Sequence, residues 1–364
     1  MTTEEKDWLR LHLTRGLGRT GIIQLMQVFG SVREILAAGP KAWTERAGIR
    51  AAVAVELPGE NAPRLEAACR SLETIQAGIV SLWDERYPCL LRKIHDPPAL
   101  LYVRGRIPGE ESLAVVGARK ASHAARSLTA EICTELAGRD ITIVSGLARG
   151  IDSAAHQGAL DGGGSTVGVL GCGIDLIYPS ENARLFQQAA ERGAVISEYP
   201  PGTPPLSGHF PGRNRIISGM SRGVLVVEAA EGSGSLITVD FALEQGREVF
   251  AVPGPVYAPT SAGVNRLLKE GAHVVTEARD ILEILWPQIP PREVRHREDS
   301  FAAALPDAAR DIYLHLGDEP LHVDDLVQKS GLTPMDVSAI LLHLELRGGV
   351  EQLPGMRFVR RRGP

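Results

Sequence analysis

The sequence predicts an α/β protein built on a doubly wound, mostly parallel sheet, with a helical region before it and a smaller helical module after it. Three observations carry that expectation. Short apolar runs recur between residues 113 and 254: LAVVG (113–117), ITIVSG (141–146), TVGVLG (166–171), AVISEY (194–199), GVLVVEA (223–229) and EVFAVPG (248–254). Helical stretches opening at Ser122, Asp152 and Ser180 separate the first of them. The runs are apolar nearly throughout, as strands covered on both faces are, and right-handed crossovers then give an extended Rossmann-like arrangement.

Residues 1–75 read as a helical domain. Leu9, Leu11 and Leu13 lead into GLGRTGIIQLMQVFGSVREIL, where Ile22, Ile23, Leu25, Met26 and Phe29 fall at helical spacing. Gly16-Leu17-Gly18 ahead of a helix resembles a helix-hairpin-helix turn, whose amides can meet a phosphate. The same turn also serves as a plain helix–helix connection. The sheet domain is expected over 76–286 and a polar, Pro-containing linker, PQIPPREVRHREDSFAAAL, over 287–305. Residues 306–364 then read as three helices and a two-stranded wing, a winged helix. Its presumed recognition helix carries Asp336 and Glu345, which would repel phosphate in a major groove. A structural or protein-interaction role is expected for it.

The 364 residues allow two or three domains, and 44% hydrophobic with 23% charged residues is ordinary for a globular chain. No run of about 18 apolar residues appears, so no membrane partner is expected. The first residues, MTTEEKDWLRLHL, do not read as a signal peptide. Cys69, Cys89, Cys133 and Cys172 are widely spaced with no CxxC pair, which points to a reducing, cytoplasmic location and to no metal site. The net charge of −5 means that a nucleic-acid ligand would need locally concentrated positive charge.

In a parallel sheet the strand C-termini share one edge, and ligands bind there. Reading past each strand therefore assembles a candidate site. The first turn brings Arg119 and Lys120, the second Ser145, Gly146 and Arg149, and the third Gly171, with Tyr178 and Asn182 beyond. Phe210, Arg213, Asn214 and Arg215 follow the fourth run, and Gly232, Ser233, Gly234 and Ser235 follow the fifth. Guanidinium forks beside Gly/Ser turns and helix N-termini suit phosphate. Phe210, Tyr178 and Tyr199 could stack on unpaired bases, although each also fits a core aromatic.

Other chemistries fit less well. No GxGxxG follows the first strand and no GxxxxGK[ST] occurs, which argues against a dinucleotide cofactor and a phosphate-hydrolysing P-loop; no cofactor is expected. Asp152 and His156, four apart and close behind Ser145, invite a hydrolase reading, but no GxSxG elbow is present. Asp152 stands where an N-cap would, with His156 beneath the loop, and Arg149 could pair with Asp152. Glu228 and Glu244, either side of the Gly/Ser turn, leave a nucleotide-processing enzyme of the nucleoside monophosphate hydrolase type as the alternative.

The pieces VVGARKAS (115–122), SGLARGIDSAAHQGAL (145–160), GCGIDLIYPSEN (171–182), ISEYPPGTPP (196–205), FPGRNRIISGMS (210–221), VVEAAEGSGSLIT (226–238) and ALEQGREVFAVPGP (242–255) closely resemble the DNA-processing protein A family, DprA or Smf. The flanks resemble its additions, a sterile-alpha-motif-like helical domain and a winged helix. The resemblance implies binding of single-stranded DNA in natural transformation, its protection, loading of the RecA recombinase, a homodimer formed through the Rossmann-like domain, and no enzymatic activity. Carried over by position, it implies a DNA site of Arg119, Ser145, Gly146, Arg149, Asn182, Phe210, Arg213, Asn214, Arg215 and Gly232 to Ser235. Ser180-Glu181 stands where some relatives carry a lysine.

Overall fold

A computed structural model describes residues 1–289, 301–302, 304–317 and 319–361. The chain divides into two compact units, Met1–Trp286 and Pro287–Pro364.

The first unit opens with helices α1 (Thr3–His12), α2 (Arg19–Phe29), α3 (Val32–Ala47), α4 (Ala51–Ala54) and α5 (Pro63–Thr74). Thr2 and Glu5 cap α1 reciprocally: the Thr2 hydroxyl accepts the Glu5 N–H at 3.2 Å and the Glu5 carboxylate accepts the Thr2 N–H at 2.8 Å. Gly30, at φ 82°, stops α2 in the left-handed conformation that glycine adopts cheaply, and Ser31 caps α3 directly after it. These helices share a core with the sheet. His12 Nδ1 lies 2.8 Å from the Tyr102 hydroxyl, Glu5 accepts the Ile79 N–H at 3.1 Å, and Trp8 stacks on Trp83 with ring centres 5.5 Å apart.

The sheet holds β1 (Ala77–Ser81), β2 (Leu100–Gly105), β3 (Ser112–Gly117), β4 (Thr142–Ser145), β5 (Thr166–Leu170), β6 (Ala194–Ser197), β7 (Gly223–Val227), β8 (Glu248–Ala251) and β9 (His273–Val274). Their order is β1-β2-β6-β5-β4-β3-β7-β8-β9. All six expected strands are present, parallel from β6 across to β8, and β9 continues parallel beside β8. The antiparallel β1 and β2 at the other edge were not expected. Their segment lies between the helical region and the first strand–helix repeat, outside the periodic pattern.

Short α6 (Cys89–Arg92), α7 (His123–Ala137), α8 (Ile151–Asp161), α9 (Ala183–Arg192), α10 (His209–Gly219), α11 (Leu236–Glu244), α12 (Ala262–Lys269) and α13 (Ala278–Leu285) complete the unit. Val224, Leu225, Val226 and Val227 are each 0% exposed. Full burial of such a side chain contributes about 1.5–3 kcal/mol, which explains their unbroken apolarity. The winding reverses between β3 and β7, where a Cβ on Gly117 would overlap the Val227 carbonyl. Only glycine lets the two strand ends close there.

The second unit comprises α14 (Asp307–His315), β10 (Leu321–His322), α15 (Val323–Ser330), α16 (Pro334–Leu346), β11 (Val350–Leu353) and β12 (Arg357–Arg360), with strand order β10-β12-β11. This is the expected helix–turn–helix with a wing. Gly331, at φ 69°, ends α15, and Thr333 caps α16 by accepting the Asp336 N–H at 3.2 Å. Ile312, Leu326, Val337, Leu341 and Leu344 form its core. Most of the expected linker, 287–305, lies outside the described residues, and Leu305 packs into this core.

Candidate nucleic-acid interface

The turns after β3, β4, β5 and β7 and the start of α10 meet along one sheet edge, and their polar groups sort into an inner and an outer tier. The inner tier is closed. Ser145 is fully buried and donates its hydroxyl to the Val115 carbonyl at 2.6 Å. The Asp152 carboxylate accepts the Gly146 and Ala148 N–H groups at 3.1 and 3.3 Å. His156 Nε2 accepts the Leu147 N–H at 3.3 Å. The Thr166 hydroxyl donates to the Ile143 carbonyl at 2.7 Å, so it accepts from His156 Nδ1 at 2.6 Å. These partners fix His156 as the neutral Nδ1–H tautomer, and burial, reinforced by Arg213, lowers its pKa to about 3. The network holds Leu147 at φ 54°, a conformation that a branched residue adopts only under constraint.

Two expectations are corrected here. Gly150, not Asp152, occupies the N-cap of α8, and Asp152 braces the preceding loop instead. Arg149 pairs with Glu181, not Asp152. Ser145, Asp152 and His156 do not form a triad either: the serine hydroxyl is committed to Val115, and both imidazole nitrogens are engaged beneath the loop.

Arg213 and Arg215, expected as surface forks, are each only 5% exposed. The Arg213 guanidinium lies against Gly146, where any Cβ would overlap it, and donates to the Gly146 carbonyl at 3.3 Å. Among the described residues its buried Nε has no hydrogen-bond partner. Burial lowers the Arg213 pKa, with Asp152 opposing and Arg119 adding to the fall. The Asp152 carboxyl is raised by burial, against the pull of Arg213 and the two amides. Arg215 spans Glu198 at 2.7 and 2.8 Å, and its Nε lies 3.4 Å from Asp96. Asn182 donates to the Leu147 carbonyl at 2.8 Å and to the Ser153 hydroxyl at 3.0 Å, and Asn214 donates to the Gly234 carbonyl at 3.2 Å. The two arginines are turned inward, while the two asparagine amides tie loops together at the half-buried surface.

The outer tier is open. Arg119 and Lys120 are exposed, and among the described residues neither has an ion-pair partner. The Arg119 guanidinium carbon sits 5.6 Å from the Phe210 ring centre, and that of Arg213 sits 5.9 Å from it. Tyr178, 46% exposed, tilts against the same ring at 5.9 Å. Gly171 makes room for Phe210: a Cβ there would stand 2.9 Å from the ring. Tyr199, half-buried, stacks on His209 with ring centres 4.2 Å apart. Gly232, at φ 73°, opens the Gly/Ser turn, in which the Ser233 and Ser235 hydroxyls bond each other at 2.8 Å. Across the switch point the Glu228 carboxylate accepts both the N–H and the hydroxyl of Ser122, at 2.8 Å each.

Reading residue types by edge position found the loops but missed Asp96, Glu181 and Glu198, the partners that decide which cations stay free, and Thr166, which fixes His156. Two arginines in an acidic chain are a signal for such partners, but the sequence does not say which carboxylates they meet.

Residues 78–286 match the family profile described as DNA recombination-mediator protein A, and residues 297–356 match the DprA winged helix domain. Protein Smf of Escherichia coli is 43% identical over 80% of this chain and 79% of its own length. DNA processing protein DprA of Bacillus subtilis is 40% identical over 65% of this chain and 78% of its own. The X-ray structure of DprA from Streptococcus pneumoniae is similar with a TM-score of 0.67 and 36% identity, over 78% of this chain and 99% of that one. DNA processing protein A of Helicobacter pylori, whose structure is described for its single-stranded DNA binding mode, gives a TM-score of 0.53 and 28% identity over 59% of this chain and 98% of that one. The chain belongs to the DNA recombination-mediator protein A family, the DprA or Smf family of DNA-processing proteins.

Proposed function

We propose that this chain binds single-stranded DNA with little sequence preference, shields it in natural transformation and loads the RecA recombinase onto it. It acts as a cytoplasmic homodimer paired through the first unit, and as a binding protein rather than an enzyme. One observation carries the reading: Phe210, Tyr178, Arg119 and the unsatisfied Arg213 converge on one patch of the sheet edge. An aromatic face flanked by guanidinium groups suits an unpaired base with its phosphate, and base–aromatic stacking tolerates sequence. Lys120 and Arg149 extend the cationic rim, with Gly232 to Ser235 beside it as the further phosphate-facing turn. The H. pylori relative's described binding mode supports the ligand class. Recombinase loading and dimerisation rest on family membership.

The test is a salt-titrated comparison of single- and double-stranded oligonucleotides by fluorescence anisotropy. Single strands should bind more tightly, and Arg119→Ala should weaken them roughly tenfold. The slope of log affinity on log salt should fall by about 0.7 in the variant. Preference for duplex, or an Arg119→Ala protein that binds like wild type at moderate salt, would overturn the reading.

A further inference from the structure

Helix α16 carries two apolar faces. Val337, Leu341 and Leu344 are enclosed in the core of the second unit. On its outer side Met335, Ala339, Leu342 and Leu346 all face solvent, with Met335 82%, Leu342 58% and Leu346 80% exposed. Their spacing of four, three and four residues is the repeat at which two helices mesh knobs into holes. It draws a seam along a 13-residue helix, about 20 Å long. Packing against a single domain core requires only the first face. Reading DNA would require cations on the second, yet Asp336 sits in its first turn.

We propose that this seam pairs with the same seam of a second copy of the chain, the two helices running antiparallel about a twofold axis. In that arrangement Met335 meets the partner's Leu346, and Ala339 meets the partner's Leu342, so a small side chain faces a large one at the centre. The flanks are complementary too. Asp336 lies beside the partner's His343, and the twofold makes this contact twice. A parallel pair instead stacks Met335 on the partner's Met335 and leaves Asp336 with no basic neighbour. The antiparallel pair also sets the helix dipoles head to tail. Four seam side chains on a helix this short fall below the roughly 1,200 Å² of a stable interface. The contact is therefore weak alone; the inference rests on the homodimer proposed above, which would hold the two chains close and the effective concentration high.

Cross-linking of the full-length protein tests this. Leu342→Cys treated with a short bismaleimide should give an adduct of twice the chain mass, several-fold above two references. One is the wild type with its four free cysteines, and the other is Gln328→Cys on the exposed surface of α15. Adding Leu346→Glu should return the yield to the wild-type level, and adding His343→Asp should lower it where His343→Lys does not. Leu342 and Leu346 are exposed, so neither change threatens the fold. Equal yields from the Leu342→Cys and Gln328→Cys proteins, or no effect of Leu346→Glu, would overturn the proposal. A cross-link running within one chain from position 342 to a native cysteine would overturn it as well, since the seam would then be covered by the chain itself. The assay needs no DNA, so its result stands apart from the DNA-binding reading.

Discussion

Arg119 and Arg213 lie 5.6 and 5.9 Å from the centre of one phenyl ring, yet they belong to regions with opposite economies of charge. Around Arg213 the floor of the site is buried. Serine, aspartate, histidine and Arg213 pack around one loop whose amides are spent internally, and Arg215 is held beside them by Glu198 and Asp96. Around Arg119 the rim is wet, with exposed cations and a polar turn and few internal bonds. The difference teaches that position at a sheet edge does not separate contact residues from those that place them. Burial and the identity of the partner do. Floor substitutions should therefore be read first in stability, and rim substitutions in affinity alone.

The strongest way to break this division is Arg215→Ala. It leaves the Glu198 carboxylate, whose side chain is 14% exposed, without the Nη2 donor that meets both its oxygens. Breaking such a pair costs about 3–5 kcal/mol. Guanidinium unfolding should show that loss as a lower midpoint at unchanged slope. A midpoint within experimental error of wild type would mean the floor is not a structural unit.

Acid should sharpen the same contrast. His156 is neutral in the folded state with a pKa near 3, against an ordinary 6.5. Between those values the unfolded chain binds the extra proton, so stability falls as pH drops below about 6.5 and keeps falling towards 3. Each pH unit in that window costs up to about 1.4 kcal/mol. His12, pushed down to about 4 by burial against Tyr102, adds in the same direction. Unfolding midpoints measured from pH 7 to pH 4.5 should fall steadily, and a flat profile would remove the buried neutral imidazole from the account.

Gly146→Ala comes next. A methyl there displaces the Arg213 guanidinium, and overpacking of this kind costs about 1–3 kcal/mol. Both the unfolding midpoint and affinity for single strands should fall; loss of neither would detach the loop from the site. The smallest effect is expected at the rim. Glu181 occupies Arg149 in an exposed ion pair, so Glu181→Gln should raise affinity for single strands two- to threefold, the scale of a surface pair. The unfolding midpoint should stay at the wild-type value. Weaker binding in that variant would mean that Arg149 must be held by Glu181 to act.

The parallel core was legible because strands buried on both faces leave almost no choice of residue; LAVVG and GVLVV announce themselves. The winged helix was legible from helical spacing and turn residues. The antiparallel β1 and β2 were not, because β2 pairs with the distant β6 and β1 only with β2, so neither belongs to a local repeat. At the site, the loops were found by counting past strand ends, and the convergence of Arg119 on Phe210 is consistent with that count. The inward turn of Arg213 and Arg215 was not foreseen. It depends on Gly146 leaving a space and on Glu198 and Asp96 arriving from elsewhere in the chain.

The bridge from Glu228 to Ser122 has a consequence for what the protein ignores. In a Rossmann-type sheet the helix terminus at the switch point is the natural seat of a nucleotide phosphate. Here the chain has put its own carboxylate on that seat, held by two hydrogen bonds. A free mononucleotide arriving there meets an acid instead of open amides. If the rim binds as proposed, a mononucleotide phosphate meets a carboxylate at that terminus, and only a longer polyanion could gain contacts along the rim.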